Sequence, residues 1–553
     1  MSGAGARPRL LPGSRWARWA LLLLVVFALL RGGMWAATQP YFWAPDEDYH
    51  FLYAEHLTTQ GALPSPGEPL YPREYDLVRR EMRYESYASG PRAEFAGDPK
   101  ASVRRLEGLP RRDREPRFEG RGVNVVHAPL YYATAAGVNA ALGDASPFVR
   151  VGAVRALSAV LGALAVFLAW LLAAQVLRQQ WLQLTAAALV ALQPMLGFMS
   201  GVVSNDMAVT AAFTAALAML LFVMRAPPVP AQGLWVGGTV ATALLVKSTA
   251  LALLPLAVLA YGAQLLTWRE RRRTALRSAG LALGLVGALA GWWYARSLVE
   301  YGSLTGAATA IVPGGVPAAT PGEVAGLVSE WTRLTYRTYW WHFHWWEAPR
   351  ESVWFLVPAA VGAIGMVGLA AALHAKRGTL LSRRDPLLRH ALLLVAAVLV
   401  LYLPPLAADV LRRVEGDGFI LVAGRFMLPA YPAAVVLLLI GLRRLAPRRL
   451  LAPACAVLVA LAAGLSWAAW LHVHVHRYFG EGGWPELFRR MSFDRPEFVT
   501  PTTFTIALIA TLGAFAGCMA VMLLHALGER GWSPGRAAIA GPARIARRQL
   551  TRS

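Results

Sequence analysis

Apolar residues in this chain run in long blocks rather than at alternate positions. Residues 21–30, 156–176, 181–199, 207–224, 279–293, 390–406, 427–442 and 452–471 are each nearly free of charge. About 20 apolar residues cross the hydrocarbon core as a helix. No water is available there to satisfy backbone groups, so internally bonded helices are the natural spanning form. The period of two that would mark the strands of a β-barrel is absent. Carried to their flanking polar residues, the blocks place spans near 16–37, 148–177, 181–200, 207–224, 234–246, 251–266, 279–295, 353–373, 390–408, 426–442, 452–471 and 504–525. The pattern predicts an all-α polytopic membrane protein, a bundle of about 12 transmembrane helices.

The same pattern divides the chain. Residues 1–15 form a cytoplasmic amino terminus, 16–38 the first transmembrane helix, 39–150 a long external segment, 151–527 the rest of the bundle and 528–553 a basic cytoplasmic tail. The first apolar run follows Arg7, Arg9, Arg15 and Arg18, as a signal peptide would. No small-x-small cleavage site precedes the polar motif after it, so it reads as a retained helix. Residues 129–142 are short and include Asn139, which suits an external interfacial helix rather than a span. Within 58–122, stretches such as 74–87 suit short amphipathic helices on the membrane surface. There is no internal repeat.

Charge fixes the expected orientation. Apolar residues make up 56% of the chain and charged ones 16%, where soluble domains carry about a quarter. Lys and Arg number 54 against 32 Asp and Glu, a net charge of +22. In a soluble protein that excess would suggest nucleic acid. Here it sits in short loops at Arg178, Arg225, Arg269–Arg277, Lys376–Arg384 and Arg443–Arg449. With alternating spans all of these fall on one side, which the positive-inside rule makes cytoplasmic. The expected location is a cell (cytoplasmic or inner) membrane, multi-pass, with both termini cytoplasmic and no nucleic-acid partner. Cys455 and Cys518 lie inside apolar runs and read as packing residues.

Ionisable groups at membrane depth are functional candidates. Four places on the external side stand out. Pro45-Asp46-Glu47-Asp48-Tyr49-His50 follows the first helix, and three adjacent acids there call for a cation or a raised pKa. Such a carboxylate can accept a proton from a hydroxyl; the plainer reading is an N-cap cluster for the next helix. His127-Ala128-Pro129-Leu130-Tyr131-Tyr132 combines a helix-starting proline with interfacial tyrosines. Ser204-Asn205-Asp206 lies between two apolar runs, and an N-cap is again the plainer reading. Lys247, Arg296 and Arg425 are lone cations at external helix ends. Each alone could snorkel to the headgroups; three together, against the positive-inside trend, suit a shared anionic ligand such as phosphate.

Taken in order, these motifs resemble the GT-C superfamily of polyprenyl-phosphate-sugar-dependent glycosyltransferases, which includes the lipid A aminoarabinose transferase and the protein O-mannosyltransferases. The match is closest to a poorly characterised bacterial branch. That branch shows Pro-Asp-Glu-x-x-His (here 45–50), Asn205-Asp206, Lys247-Ser248-Thr249, a Trp-x-x-Arg-x-x-x-x-Tyr-Gly segment (293–302), a Trp-rich stretch (339–346) and Gly-Arg-Phe-x-x-Pro (424–429). Two places depart from the pattern. His127 and Ala128 replace the usual residues before Pro-Leu-Tyr-Tyr, and the aromatic stretch reads Phe343-His344-Trp345.

The resemblance implies inverting sugar transfer from a polyprenyl-phosphate-linked donor to an extracytoplasmic acceptor in the cell envelope, with membrane lipids around the site. It makes Asp46 the catalytic base, with Glu47 and Asp206 as further carboxylates orienting acceptor or metal. It makes Lys247, Arg296 and Arg425 the donor-phosphate ligands. His50 and His127 become contacts to phosphate or metal, and Tyr131, Tyr132, Asn205, Trp341 and Trp345 the substrate lining. A divalent cation (Mg, Mn or Zn) is used by some relatives only. His472, His474 and His476 form a run that could bind metal on a strand, but reads better as an interfacial helix end. The rival class is a multi-span transporter or lipid flippase. Those proteins place ionisable groups near the midplane in related halves, whereas these groups gather at one face.

Overall fold

The structure is a computed structural model that describes residues 11–39, 41–65, 75, 104, 126–306, 318–320, 322–341, 343, 353–416, 424–478 and 500–529. Among them all regular structure is helical. Trp345, most of the 58–122 segment and most of the basic tail lie outside the described residues.

Helix α1 (Arg15–Thr38) opens where Ser14 Oγ accepts from Ala17 N at 3.1 Å, satisfying a first-turn amide. Among the described residues two short helices follow before the next long one: α2 (Glu47–Gln60), closed by Gly61 at φ +63°, and α3 (Leu130–Ala141). At 12 residues α3 is too short to span, and it packs on α2 through Tyr131, Tyr132, Ala135 and Asn139. The bundle continues with α4 (Pro147–Val176), α5 (Gln180–Ala191), α6 (Pro194–Met199), α7 (Asp206–Arg225), α8 (Ala231–Val246), α9 (Leu253–Thr267, after the 3-10 turn Ser248–Ala252) and α10 (Arg272–Tyr301). It ends with α11 (Val324–Trp340), α12 (Leu356–Lys376), α13 (Leu387–Glu415), α14 (Tyr431–Leu445, after the 3-10 segment Gly424–Ala430), α15 (Arg448–Tyr478) and α16 (Pro501–Glu529).

Among the described residues ten helices are long and apolar enough to cross a membrane. The other two of the twelve expected spans are shorter. Residues 181–200 break at Gln193-Pro194 into α5 and α6, of 12 and 6 residues. Proline disfavours helical backbone in the residue before it, which ends the first piece. Arg31 of α1, only 4% exposed, closes this break by donating to Ala191 O at 2.7 Å and to Gln193 O at 3.4 Å. The other short element is α8, whose 16 residues reach about 24 Å. One helix was not foreseen. Residues of α11 fall between the spans expected at 279–295 and 353–373 and escaped notice because they are amphipathic and only 17 long.

The core lies between α1, α4, α5, α7 and α14, with α10, α12 and α16 outside it. Leu283, Val299, Leu356, Met366, Ile506 and Ile509 on the outer helices are more than half exposed, as lipid-facing side chains are. Small residues let helices touch. A Cβ on Gly441 of α14 would lie 2.1 Å from the Gly365 carbonyl of α12.

The two ends of the bundle differ in charge. At one end Gln264 of α9 donates to Val223 O, Ala226 O and Gln232 Oε1, joining α7, α8 and α9. There Arg383 reaches Thr267 O and Glu270, and Arg389 reaches Met224 O. The arginine-rich loops collect at this end. The opposite end gathers the last turn of α1 and the first turns of α2, α4, α7 and α14.

Candidate active site

Asp46 follows a short turn after α1 and takes φ +63°, a left-handed conformation unusual for a residue other than glycine. It occupies the N-cap position of α2, but its side chain makes no capping bond. Instead Arg425 Nη2 donates to Asp46 Oδ2 at 2.5 Å, and Arg425 Nη1 to the Pro45 carbonyl at 3.0 Å. Asp206, in the first turn of α7, also turns away from capping. Its Oδ1 accepts from Lys247 Nζ at 2.5 Å, and its Oδ2 lies 3.8 Å from Arg425 Nε. Neither carboxylate caps its helix, because in a low-dielectric setting a charged partner holds a carboxylate more strongly than a backbone amide does; at α7 the capping oxygen is Ser204 Oγ, which accepts from Asp206 N at 3.2 Å.

Lys247 ends α8, and Arg425 lies in the 3-10 segment before α14. Both cations face the Phe426 ring, at 4.6 and 5.5 Å from its centroid. Gly424 lets this segment lie against α11, since a Cβ there would come within 2.3 Å of Tyr339 N and Thr335 O. Three of the four charges are nearly hidden: the Arg425, Asp206 and Lys247 side chains are 2, 4 and 6% exposed. Asp46 opens outward, at 23%.

A polar layer lies beside the quartet. Asn205 Nδ2 donates to Tyr132 Oη at 3.3 Å, and Tyr132 Oη meets His50 Nδ1 at 2.7 Å. With Asn205 donating, Tyr132 gives its own proton to Nδ1, so the His50 proton belongs on Nε2. His50 stacks on His127 with ring centroids 5.7 Å apart, and Tyr53 stacks on Tyr132 at 4.0 Å. Burial holds both imidazoles below the usual histidine range, aided by the charges of Lys247 and Arg425; His127 is pushed down to about 3 although part of its surface still meets solvent. Both are therefore neutral at pH 7. Burial likewise raises the phenols of Tyr131 and Tyr132. Tyr131 Oη contacts Ser158 Oγ at 3.3 Å.

The other expected residues fall elsewhere. Glu47 is fully buried, with Arg155 Nε and Nη2 on its two oxygens at 2.7 Å and Val203 N on Oε1 at 3.1 Å. That leaves little of it for acceptor or metal. Arg296 pairs with Glu300 at 2.8 Å, donates to Pro64 O at 3.2 Å and covers Trp293, so it does not join Lys247 and Arg425. Its i,i+4 acid was the closer partner on the same helix face. Trp341 packs on Phe343 and His472. The histidine run lies on helix α15, with His474 stacked on Trp470 at 4.6 Å.

Sequence reasoning missed Arg150 and Arg155, which are fully buried in the first turns of α4. Arg150 pairs with Glu55 at 2.5 Å, and Asn139 donates to the same carboxylate at 3.2 Å. The available signal was the one used for Lys247: cations at a helix end on the side that should be poor in them.

These donors do not suit a resident divalent cation. Among the described residues no three His, Cys, Asp or Glu side chains converge on a point, and both exposed-side carboxylates already face cations. What the arrangement offers is a pair of carboxylates and a pair of cations at one end of the bundle, with Asp46 the most exposed of the four.

Similar solved structures include ArnT from Cupriavidus metallidurans bound to undecaprenyl phosphate. It is 15% identical over 92% of this chain and 78% of that one, with a TM-score of 0.42. The oligosaccharyltransferase of Archaeoglobus fulgidus in complex with Zn and sulfate is 13% identical over 81% of this chain and 52% of that one, with a TM-score of 0.44. The oligosaccharyltransferase AglB of the same organism, with an inhibitory peptide and a dolichol-phosphate, is 12% identical over 82% and 56%, at a TM-score of 0.41. This chain thus spans about half the length of the archaeal enzyme. No curated protein matches the sequence. A family described as predicted membrane protein (DUF2142) matches residues 29–433, a stretch that holds Asp46, Asp206, Lys247 and Arg425, and the chain belongs to that family.

Proposed function

We propose that this protein is an inverting glycosyltransferase that moves a sugar from a polyprenyl-phosphate donor to an extracytoplasmic acceptor. The observation that carries the reading is the meeting of Asp46 and Asp206 through Arg425, beside Lys247, at the end of the bundle opposite the arginine-rich loops. The ordered motifs that resemble the GT-C superfamily support it. The positive-inside rule places that end outside the cytoplasm and both termini inside.

In this reading the lipid tail stays in the bilayer and the donor phosphate lies at Lys247 and Arg425. An acceptor hydroxyl reaches Asp46 from water. Asp46 takes its proton as the acceptor oxygen bonds to the anomeric carbon, and the bond from that carbon to the phosphate oxygen breaks. Polyprenyl phosphate leaves with one more negative charge, which the two cations stabilise as it develops. Asp206 holds Lys247 and Arg425 in place. Tyr131, Tyr132 and Asn205 line the chamber with neutral donors, and His50 and His127 are neutral neighbours there. Arg296 supports the external segment and is not a phosphate ligand.

The test is glycan analysis of cells lacking the gene, restored with the wild-type chain or with Asp46→Asn. Loss of one envelope sugar, regained only with wild type, supports the reading. Full restoration by Asp46→Asn removes Asp46 from the chemistry. In proteoliposomes, lipid movement without sugar transfer would favour a flippase.

A further inference from the structure

Two buried ion pairs join α4 to α2, and they differ in what else they hold. Arg155 forks onto Glu47 and also donates to Ala36 O at 3.0 Å and to Gln39 O at 2.9 Å, at the end of α1. Glu47 in turn accepts from Val203 N, three residues before Asp206. The Tyr41 ring lies 4.8 Å from the guanidinium. One guanidinium–carboxylate unit therefore touches the end of α1, the start of α2 and the segment that leads into α7. Arg150 and Glu55 form an equally buried pair, and their contacts among the described residues include a hydrogen bond from Asn139 of α3 and the Tyr75 ring, 6.0 Å from the guanidinium.

We propose that the Arg155–Glu47 pair is a positioning clasp that sets the register between Asp46 and Asp206. The inference rests on the transferase reading above. Glu47 is the next residue after Asp46, so fixing Glu47 fixes the peptide that carries the base. Asp46 holds a left-handed conformation, which aspartate tolerates better than most residues but which still gains from restraint on both sides. Arg425 restrains it from one side, through its carboxylate and the Pro45 carbonyl, and the clasp restrains it from the other. The bond from Val203 couples the same anchor to the strand of backbone before Asp206. Both carboxylates are then referred to one rigid, bidentate unit, and bidentate geometry fixes orientation as well as distance. Arg155 and Glu47 act through Asp46 and Asp206 and touch no substrate.

The test compares Arg155→Met with Arg150→Met in the full chain, reconstituted in lipid. Arg155→Lys serves as a milder variant that keeps a charge for Glu47 but loses the fork. Hydrogen exchange of residues 200–206 reads the clasp without reference to activity. Arg155→Met and Arg155→Lys raise exchange there, while Arg150→Met leaves it unchanged. Sugar transfer per folded molecule then falls by about 30-fold or more in kcat for Arg155→Met, with donor KM within about threefold, because orientation rather than binding is lost. Arg150→Met lowers the yield of folded protein but keeps kcat.

Unchanged exchange at 200–206 in both Arg155 variants overturns the clasp whatever the activity. Raised exchange with an unchanged kcat, in an enzyme that Asp46→Asn inactivates, overturns its positioning role. If Asp46→Asn retains transfer, the functional reading fails instead, and the exchange data still decide whether the clasp exists.

Discussion

Arg425 at one end of the bundle and Arg383 at the other each pair with a carboxylate at 2.5 Å, yet the first side chain is 2% exposed and the second 46%. The contrast extends beyond these two. Arg150, Arg155 and Lys247 are at most 6% exposed, and each faces an acid. At the basic end Lys376 is 41% exposed beside Asp385. The same chemical pair thus serves different ends. In water and headgroups an ion pair gains little, and basic residues in short loops generally act by setting which way a chain inserts. Away from water a cation and an acid hold each other in fixed geometry, and each becomes costly if its partner is lost.

Substitutions at the two ends should separate these roles. The largest effect falls on chemistry. Asp46→Asn should lower sugar transfer by about a thousandfold or more while the protein still inserts and folds, because a carboxamide cannot take the acceptor proton. Arg272→Ala at the basic end should leave transfer unchanged. A reconstituted transfer assay checks both.

Stability comes next. Lys247→Met leaves the buried Asp206 carboxylate with only the longer Arg425 contact and should cost about 3 kcal/mol in unfolding experiments in detergent. Arg383→Ala, whose partner Glu270 is 52% exposed, should cost about 1 kcal/mol or less. Equal losses at both sites would erase the contrast between the ends.

The pH dependence follows from His50 and His127, both held below the ordinary histidine value by burial. The unfolded chain protonates them near pH 6.5, while the folded chain does so only at lower pH. The folded state therefore binds fewer protons in that window. Its stability is complete above about 6.5 and falls as the pH drops, on the order of 1.4 kcal/mol per pH unit for each imidazole. His50→Phe should flatten the slope measured between pH 6.5 and 5. The smallest effect is that of salt. Raising ionic strength should weaken the Lys376–Asp385 and Arg383–Glu270 pairs by tenths of a kcal/mol and leave the buried Lys247–Asp206 pair unaffected.

Much of the architecture was legible because the bilayer imposes one length and one period on every span. The positions of α1, α4, α7 and the later long helices follow from uninterrupted apolar runs. Where other forces compete, the pattern misleads. The break at Gln193-Pro194 was written in a dipeptide that hydropathy averages away. Helix α11 was hidden because its apolar residues lie on one face only.

At the site, Asp46, Asp206, Lys247 and Arg425 could be singled out because ionisable groups are rare at such depths. Their pairing could not be read. It depends on contacts across as many as 379 positions of sequence, and local logic pointed to helix capping instead. Arg296 lies apart from its two fellow cations and pairs with Glu300 one turn away.

Binding of undecaprenyl phosphate to the purified chain, measured with wild type and three variants, tests the central claim most directly. If Lys247 and Arg425 are the phosphate ligands and Asp46 competes for Arg425, then Lys247→Gln and Arg425→Gln weaken binding about tenfold or more, whereas Asp46→Asn tightens it severalfold. Equal affinity in all four proteins would contradict a phosphate site at this cluster.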